Sequence, residues 1–189
     1  MFDTNKIVKY YNAASSEMYG NFTGENIKNE DTPMHPASPY GCAKLSAYHL
    51  VKHYRRAYGL WATNGILFNH ESPLRGKNFV TNKIISQAVK IKLGLQKDKI
   101  QLGNLNACRD WGHAKDYVNA IRLMMLLDEP NDFVCATGVT YSIHEFLLTV
   151  LDKLNLNYSD TIEISDILKR PEDIKHLQGD YTKLYIETG

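Results

Sequence analysis

The sequence predicts an α/β fold with a largely parallel sheet. Short strand-like runs alternate with longer stretches of helical spacing. The helices between the strands are long enough to serve as crossovers. The chain's 189 residues, 43% of them hydrophobic, can bury a sizeable core as one domain.

The first strand is read in "KIVKYYNAASS" (residues 6–16), which runs into a turn of small residues. A polar loop rich in proline follows, as far as Pro39. Ser38 can cap a helix whose first position is Pro39, a residue with no N–H to leave unpaired. That helix is expected from about Tyr40 to Tyr58, with Gly59 as a left-handed stop. "WATNGILF" (61–68) is the second strand. In "NFVTNKIISQAVKIKLG" (78–94), Ile84, Ile85, Ala88, Val89 and Leu93 recur at helical spacing, and the run ends on glycine. "KIQLGN" (99–104) reads as a short strand, "AKDYVNAIRLMMLL" (114–127) as an amphipathic helix and "DFVCATG" (132–138) as a strand. Ser142 and Glu145 form a Ser-x-x-Glu capping box that opens the helix "IHEFLLTVLDKL". "TIEIS" (161–165) alternates as a strand does, and the tail from Gln178 has no decisive pattern.

Lysines and arginines (22) nearly balance aspartates and glutamates (21), and the positive residues are not massed, so the footprint of a nucleic-acid binder is missing. No apolar run is long enough to cross a bilayer, and "MFDTNKIVKY" lacks the apolar middle of a signal peptide. Cys42, Cys108 and Cys135 are odd in number without Cys-x-x-Cys spacing, which favours reduced thiols and a cytoplasmic location. No Gly-x-Gly-x-x-Gly follows a strand, so no dinucleotide phosphate cradle lies in these residues. His49 and His53 stand four apart, but with no third ligand and no adjoining glutamate they read as a solvated helix face. His113 beside Trp111 reads as a packed structural histidine rather than a ligand-stacking one.

The candidate chemistry starts at "SPYGCAK" (38–44). Residues four apart share a helix face, so Tyr40 and Lys44 can enter one cleft. Tyrosine is a poor base near neutrality, and a neighbouring ammonium favours its phenolate, which can then take a proton from an alcohol. The spacing alone is common in helices. "AASSEMYG" (13–20) adds weight, because in parallel α/β folds ligands gather at the carboxyl ends of strands. There Ser15 and Ser16 offer hydroxyls and Glu17 a carboxylate.

Together "AASSEMYG", "SPYGCAK", "NGILFNHESPLRG", "NFVTNKI", "LGNLNACRDWGHAKDYV", "FVCATG" and "LQGD" resemble the GDP-mannose 4,6-dehydratases of the extended short-chain dehydrogenase/reductase superfamily. The resemblance runs from Lys9 to Asp180. It implies a Rossmann-like fold, NADP as cofactor and GDP-mannose as substrate, converted to GDP-4-dehydro-6-deoxymannose on the route to GDP-fucose and related deoxysugars. Tyr40 would remove the hydroxyl proton at carbon 4. Lys44 would hold the cofactor ribose, and Ser15, where the family usually has threonine, would orient the carbon 4 hydroxyl. Glu17 would take the carbon 5 proton and help expel the carbon 6 hydroxyl as water. His70 and Arg75 match family positions on the cofactor side. Asn69, Asn78, Val80, Lys83, Arg109, Arg170 and Asp173 match positions around the nucleotide sugar, where arginine and lysine suit a diphosphate.

The chain departs from the family in several places. Leu74 replaces a usual arginine, and the stretch from Leu156 to Arg170 is short. Asp173, one position beyond Glu172, stands for the family's acidic residue. Family members are nearly twice this long, so residues 1–189 are expected to be a single fragment. It would hold the C-terminal part of the NADP-binding domain interleaved with the sugar-nucleotide domain, and it would be inactive alone. The resemblance also implies a homo-oligomer, dimer or tetramer, in the full-length form. Two rival readings are a sugar-nucleotide epimerase, which would have no use for Glu17, and a non-catalytic remnant that binds a nucleotide.

Overall fold

The computed structural model describes residues 8–22, 24, 27–169 and 172–189. Strand β1 (Tyr10–Ser15) leads through a 3-10 turn at Ser16–Met18 to the short β2 (Ile27–Lys28) and then α1 (Pro39–Tyr58). Strands β3 (Ala62–Leu67) and β4 (Asn69–Glu71) precede α2 (Val80–Lys92). Three short strands follow, β5 (Ile100–Leu102), β6 (Cys108–Arg109) and β7 (Trp111–His113), and the last runs straight into α3 (Ala114–Leu126). Then come β8 (Asp132–Cys135), β9 (Tyr141–Ser142), α4 (Ile143–Leu154) and the single turn α5 (Tyr158–Thr161). Strands β10 (Ile162–Ile164) and β11 (His176–Gly179) and helix α6 (Thr182–Thr188) complete the order. Lys6 and Ile7, where the first strand was expected to begin, lie outside the described residues.

The central sheet has the order β1-β3-β8 and is parallel throughout, as the alternation of elements requires. Ser15 stands opposite Leu67, and Leu67 opposite Cys135, so the three carboxyl ends are level. The other described strands form the parallel pairs β4–β7 and β5–β10 and a four-stranded sheet, β2-β11-β6-β9. Among the described strands only β6 and β9 pair antiparallel. Among the described residues no helix is long and apolar enough to cross a membrane.

Two cores divide the apolar side chains. One packs Ala14, Met18, Tyr48, Ile66, Phe68, Phe133 and Val134 around the central sheet. The other joins Ile84 and Ala88 of α2 to Leu147 and Leu151 of α4 over Ile100, Leu102 and Ile162. Of the five apolar residues at helical spacing in α2, only Ile84 and Ala88 are buried, while Ile85, Val89 and Leu93 are exposed. The helix rests on α4 and β5 along a narrow stripe, so the neighbouring stripe has nothing to pack on.

Helix α1 positions the candidate chemistry, and its ends form as its sequence dictates. Ser38 Oγ accepts from the Gly41 N–H at 3.0 Å, Pro39 takes the first turn, and Gly59 closes the helix at φ +64°. One face carries Tyr40, Lys44, Tyr48, Lys52 and Arg55. At its far end the buried Asp132 of β8 accepts from Arg55 Nη2 at 2.9 Å and Asn64 Nδ2 at 2.7 Å, with Lys52 Nζ 3.5 Å away. A buried carboxylate with this many donors is held in place rather than left as an uncompensated charge. It pins α1 to the sheet and thereby fixes where the first turns of the same face stand. The capping box opens α4, with Ser142 Oγ accepting from the Glu145 N–H at 3.1 Å and Glu145 Oε2 from the Ser142 N–H at 2.7 Å.

The outer edge of β8 is blunted by side chains. Glu30 Oε1 accepts from the Val134 N–H at 2.7 Å, and Lys183 Nζ of α6 donates to the Asp132 carbonyl at 3.0 Å. The tail that was ambiguous in the sequence becomes β11 and α6, because β11 gains partners on both sides, β2 and β6.

Candidate functional site

At the level ends of β1 and β3 a cleft of about 580 Å³ is lined by Ser15, Glu17, Ser38, Tyr40, Lys44, Asn69, His70, Arg75 and Phe79. Ser15, the last residue of β1, turns the chain: its Oγ accepts from the Glu17 N–H at 3.3 Å and caps the short helical turn. Buried Ser16 and Met18 anchor that turn on either side of half-buried Glu17. Lys44 Nζ donates to the Ala13 carbonyl at 2.8 Å and lies 5.6 Å from the Tyr40 ring centre, so the ammonium bridges helix and strand end beside the phenol. Tyr40 remains 54% exposed, which leaves its ring open to a ligand in the cleft.

The close approach of α1 to the Ser15–Glu17 turn depends on Gly41. A Cβ at this position would stand 2.8 Å from the Glu17 carbonyl oxygen and 2.9 Å from Pro36 Cβ. Only a residue without a side chain lets the Tyr40 turn come so near.

His70 lies on β4 with Nδ1 2.9 Å from the Phe68 carbonyl, an acceptor only, so Nδ1 carries the proton and Nε2 is left to accept. Its ring stands 5.0 Å from that of Tyr117. Tyr117 is buried, its hydroxyl has no hydrogen-bond partner among the described residues, and burial pushes its phenol well above the ordinary tyrosine range.

A second cleft, about 450 Å³, adjoins the first. Its walls carry Asn78, Val80, Lys83, Asn104, Arg109, Trp111 and Asp173, and it shares Glu17, Asn69, Arg75 and Phe79 with its neighbour. Asn78 and Val80 flank the start of α2, and Lys83, one turn along, donates to the Gln101 carbonyl at 2.7 Å. Arg109 at the end of β6 is nearly buried. Its Nη1 donates to the Ile174 carbonyl at 2.7 Å, and its Nη2 lies 3.4 Å from Asp173 Oδ1. Asp173 also accepts from Asn104 Nδ2 at 3.1 Å, so it orients the arginine and the wall together.

Behind this wall, fully buried Asp110 accepts from the Thr137 N–H (2.8 Å), Thr137 Oγ1 (2.7 Å), the Gly138 N–H (2.9 Å) and the Gly179 N–H (3.3 Å). It ties the β6–β7 joint to the loop after β8 and to β11, and so sets where Arg109 and Trp111 stand.

Every described residue of the expected set lines one cleft or the other, while Arg170 lies outside the described residues. His113 departs from expectation. It is exposed and caps α3, with Nδ1 accepting from the Lys115 N–H at 3.1 Å, because β7 passes directly into the helix and leaves the N-cap to it. Cys42 is exposed and lines neither cleft. His53 stands within 6 Å of the Tyr54 and Tyr58 rings. The sequence reading did not single out Glu71, Phe79, Asn104 or Asp110. All four lie inside the quoted motifs, but nothing in their spacing marks a role that depends on folding.

Comparison with known proteins follows the same line. The family profile described as GDP-mannose 4,6 dehydratase matches residues 1–189. GDP-mannose 4,6 dehydratase 2 of Arabidopsis thaliana is 49% identical over 181 residues, which are 96% of this chain and 48% of that protein. GDP-mannose 4,6 dehydratase of Homo sapiens is 49% identical over 193 residues, covering 93% of this chain and 51% of its own. The chain therefore spans about half the length of the curated relatives it matches. Among solved structures, RMD from Pseudomonas aeruginosa, complexed with NADPH, superposes with a TM-score of 0.86 at 22% identity over 98% of this chain and 61% of its own. The dTDP-glucose 4,6-dehydratase of Bacillus anthracis, in complex with NAD, gives 0.84 at 20% identity over 95% of this chain and 55% of its own. At such identities these two likenesses bear on the fold alone, which this chain shares with both.

Proposed function

We propose, on the premise that this chain belongs to the GDP-mannose 4,6-dehydratase family, that the protein containing it removes water from GDP-mannose to give GDP-4-dehydro-6-deoxymannose. The observation that carries the reading is the position of Glu17. Glu17 lines both clefts, the one holding Tyr40, Lys44 and Ser15 and the one holding Lys83 and Arg109. A sugar lying across that shared wall, with its diphosphate toward the cations, brings its ring to the carboxylate and the phenol.

The residues present fit a nicotinamide cofactor on the first side. Lys44 has donors left beyond its bond to Ala13, His70 offers Nε2, and Arg75 lines the same wall. Tyr40, Lys44, His70 and Arg75 would hold it, and NADP is the form proposed, in keeping with the family resemblance. Bound there, it supplies a reversible hydride acceptor, so the overall reaction is an elimination rather than a net oxidation.

Tyr40 takes the proton of the carbon 4 hydroxyl, and the Ser15 hydroxyl, whose oxygen already caps the turn, directs its own hydrogen to that oxygen. A ketone at carbon 4 acidifies the carbon 5 proton by delocalising the charge left behind, so a carboxylate is a sufficient base. Glu17 removes that proton and passes it to the departing carbon 6 hydroxyl, which leaves as water; carbon 5 then regains a solvent-derived proton through Glu17, and the hydride stored on the bound cofactor would return to carbon 6. Glu17 also separates this reading from an epimerase, which requires no base at carbon 5. The test is incubation of the protein with GDP-mannose and NADP, followed by NMR of the sugar nucleotide. A carbon 6 methyl signal beside a carbon 4 ketone is expected. A GDP-hexose that keeps its carbon 6 hydroxyl would overturn the assignment.

A further inference from the structure

Arg75 occupies an unusual place, since its side chain lines both clefts and is held on two sides. The Phe79 ring covers one face of the guanidinium, with Cζ 3.5 Å from the ring centre. Glu71 Oε2 lies 3.3 Å from Nε without the alignment of a hydrogen bond, and that oxygen is itself fixed by Thr81 Oγ1, which donates to it at 2.7 Å. The backbone is fixed as well, because the Arg75 N–H donates to the Ser72 carbonyl at 3.0 Å and Asn82 Nδ2 donates to the Arg75 carbonyl. Nη1 and Nη2 donate to no acceptor among the described residues.

We propose that Phe79 and Glu71 are positioning residues for Arg75, holding the guanidinium so that its free edge grips a diphosphate at the wall common to the two clefts. A guanidinium has all its N–H bonds in one plane, and a phosphate takes two of them side by side. Stacking on a ring occupies the face and spares that edge. Nothing on Phe79 contacts an anion favourably, and it is 49% exposed although it is a large apolar side chain. Supporting the arginine explains why an aromatic residue stands in a polar wall. The same anchoring removes rotamer freedom before a ligand arrives, so less is lost on binding. Identifying the diphosphate rests on the dehydratase reading. It belongs either to the sugar nucleotide or to the dinucleotide cofactor.

The test uses the protein containing this chain, titrated calorimetrically with GDP, with NADPH and with inorganic pyrophosphate. It compares wild type with Phe79→Leu, Phe79→Tyr, Arg75→Gln and the double variant Phe79→Leu/Arg75→Gln. Phe79→Leu leaves every charge in place, so a change in affinity reports the platform. It is expected to weaken binding by roughly threefold to thirtyfold, while Phe79→Tyr keeps the ring and binds as wild type. In the Arg75→Gln background Phe79→Leu has no further effect, because its action passes through the arginine. The wild type gives an independent readout: the Arg75 Nε–H proton is shifted upfield by the Phe79 ring current and moves when pyrophosphate is added. Loss in the GDP arm assigns the sugar nucleotide, and loss in the NADPH arm the cofactor. If the nucleotides bind but Phe79→Leu matches wild type, or its effect adds to that of Arg75→Gln, the proposal falls and the dehydratase reading stands. If neither nucleotide binds while pyrophosphate binding still depends on Phe79, the dehydratase reading falls and the platform stands. If a diphosphate binds without moving the Arg75 signal, the proposal falls and the dehydratase reading stands; if none of the three binds, both fall.

Discussion

Replacing Gly41 by alanine tests the packing that sets the phenol beside the carboxylate. The new methyl would lie 2.8 Å from the Glu17 carbonyl oxygen and 2.9 Å from Pro36 Cβ, about 0.6 Å and 0.5 Å inside the 3.4 Å of ordinary contact. Both obstacles are stiff, one being backbone and the other a proline ring, so α1 must back away from the turn. Overpacking of this kind costs about 1–3 kcal/mol. Against it stands the gain of alanine over glycine in a helix, up to about 1 kcal/mol in the interior and smaller in this first turn. The clash wins, and the expected net loss is about 1–2 kcal/mol, or roughly 2–8 °C in Tm for a chain of this size. Urea unfolding followed by circular dichroism measures it. A Gly41→Ala protein as stable as the parent, or more stable, would mean that helix propensity prevails and that α1 does not press on the Glu17 turn.

Three further perturbations probe the surroundings. Asp110→Ala leaves the buried Gly179 N–H and the half-buried Gly138 N–H without their acceptor, whereas exposed Thr137 can turn its N–H and hydroxyl to water. At about 1–3 kcal/mol for a buried donor left unsatisfied and less for the half-buried one, urea unfolding should show a loss of about 2–4 kcal/mol; a loss below about 1 kcal/mol would contradict the latch. Burial holds the Glu30 carboxyl above its ordinary value despite its bond to the Val134 N–H and the nearby Lys183. The folded state therefore keeps this proton more tightly than the unfolded state, and the group's cost appears as pH rises through the folded pKa. Glu30→Gln should raise Tm at pH 7 and leave it nearly unchanged at pH 4, whereas an equal shift at both would refute the sign. Burial also pushes the Cys135 thiol up to about 12, so in the native protein a thiol reagent at pH 8 should label exposed Cys42 and spare Cys135 until denaturant is added.

Much of the scaffold was legible because local chemistry dictates it. Ser38, Pro39 and Gly59 mark the two ends of α1 without reference to anything distant, and the Ser142–Glu145 box does the same for α4. Strands β2, β6 and β9 were not legible, since two residues carry no alternation and their existence depends on partners up to about 150 residues away, as β2 does on β11. In α2 the periodicity was right but its meaning was not. Five apolar residues fit a helix, and only the contact with α4 decides which two are covered. The site divides in the same way. The Tyr40–Lys44 spacing is common in helices and only raised the candidate; the motif resemblance gave it weight and supplied its partners. The closeness enforced by Gly41, the fourfold grip on Asp110 and the stacking of Arg75 on Phe79 are properties of segments meeting in space.

Solvent deuterium exchange at carbon 5 of the substrate tests most directly whether Glu17 is the base at the meeting of the two clefts. In D₂O with GDP-mannose and NADP, the protein containing this chain should place deuterium at carbon 5 of the 6-deoxy-4-keto product. The Glu17→Gln variant should release no such product and incorporate no label, while the oxidation at carbon 4 persists. Carbon 5 labelling by Glu17→Gln at the parent rate would contradict the account.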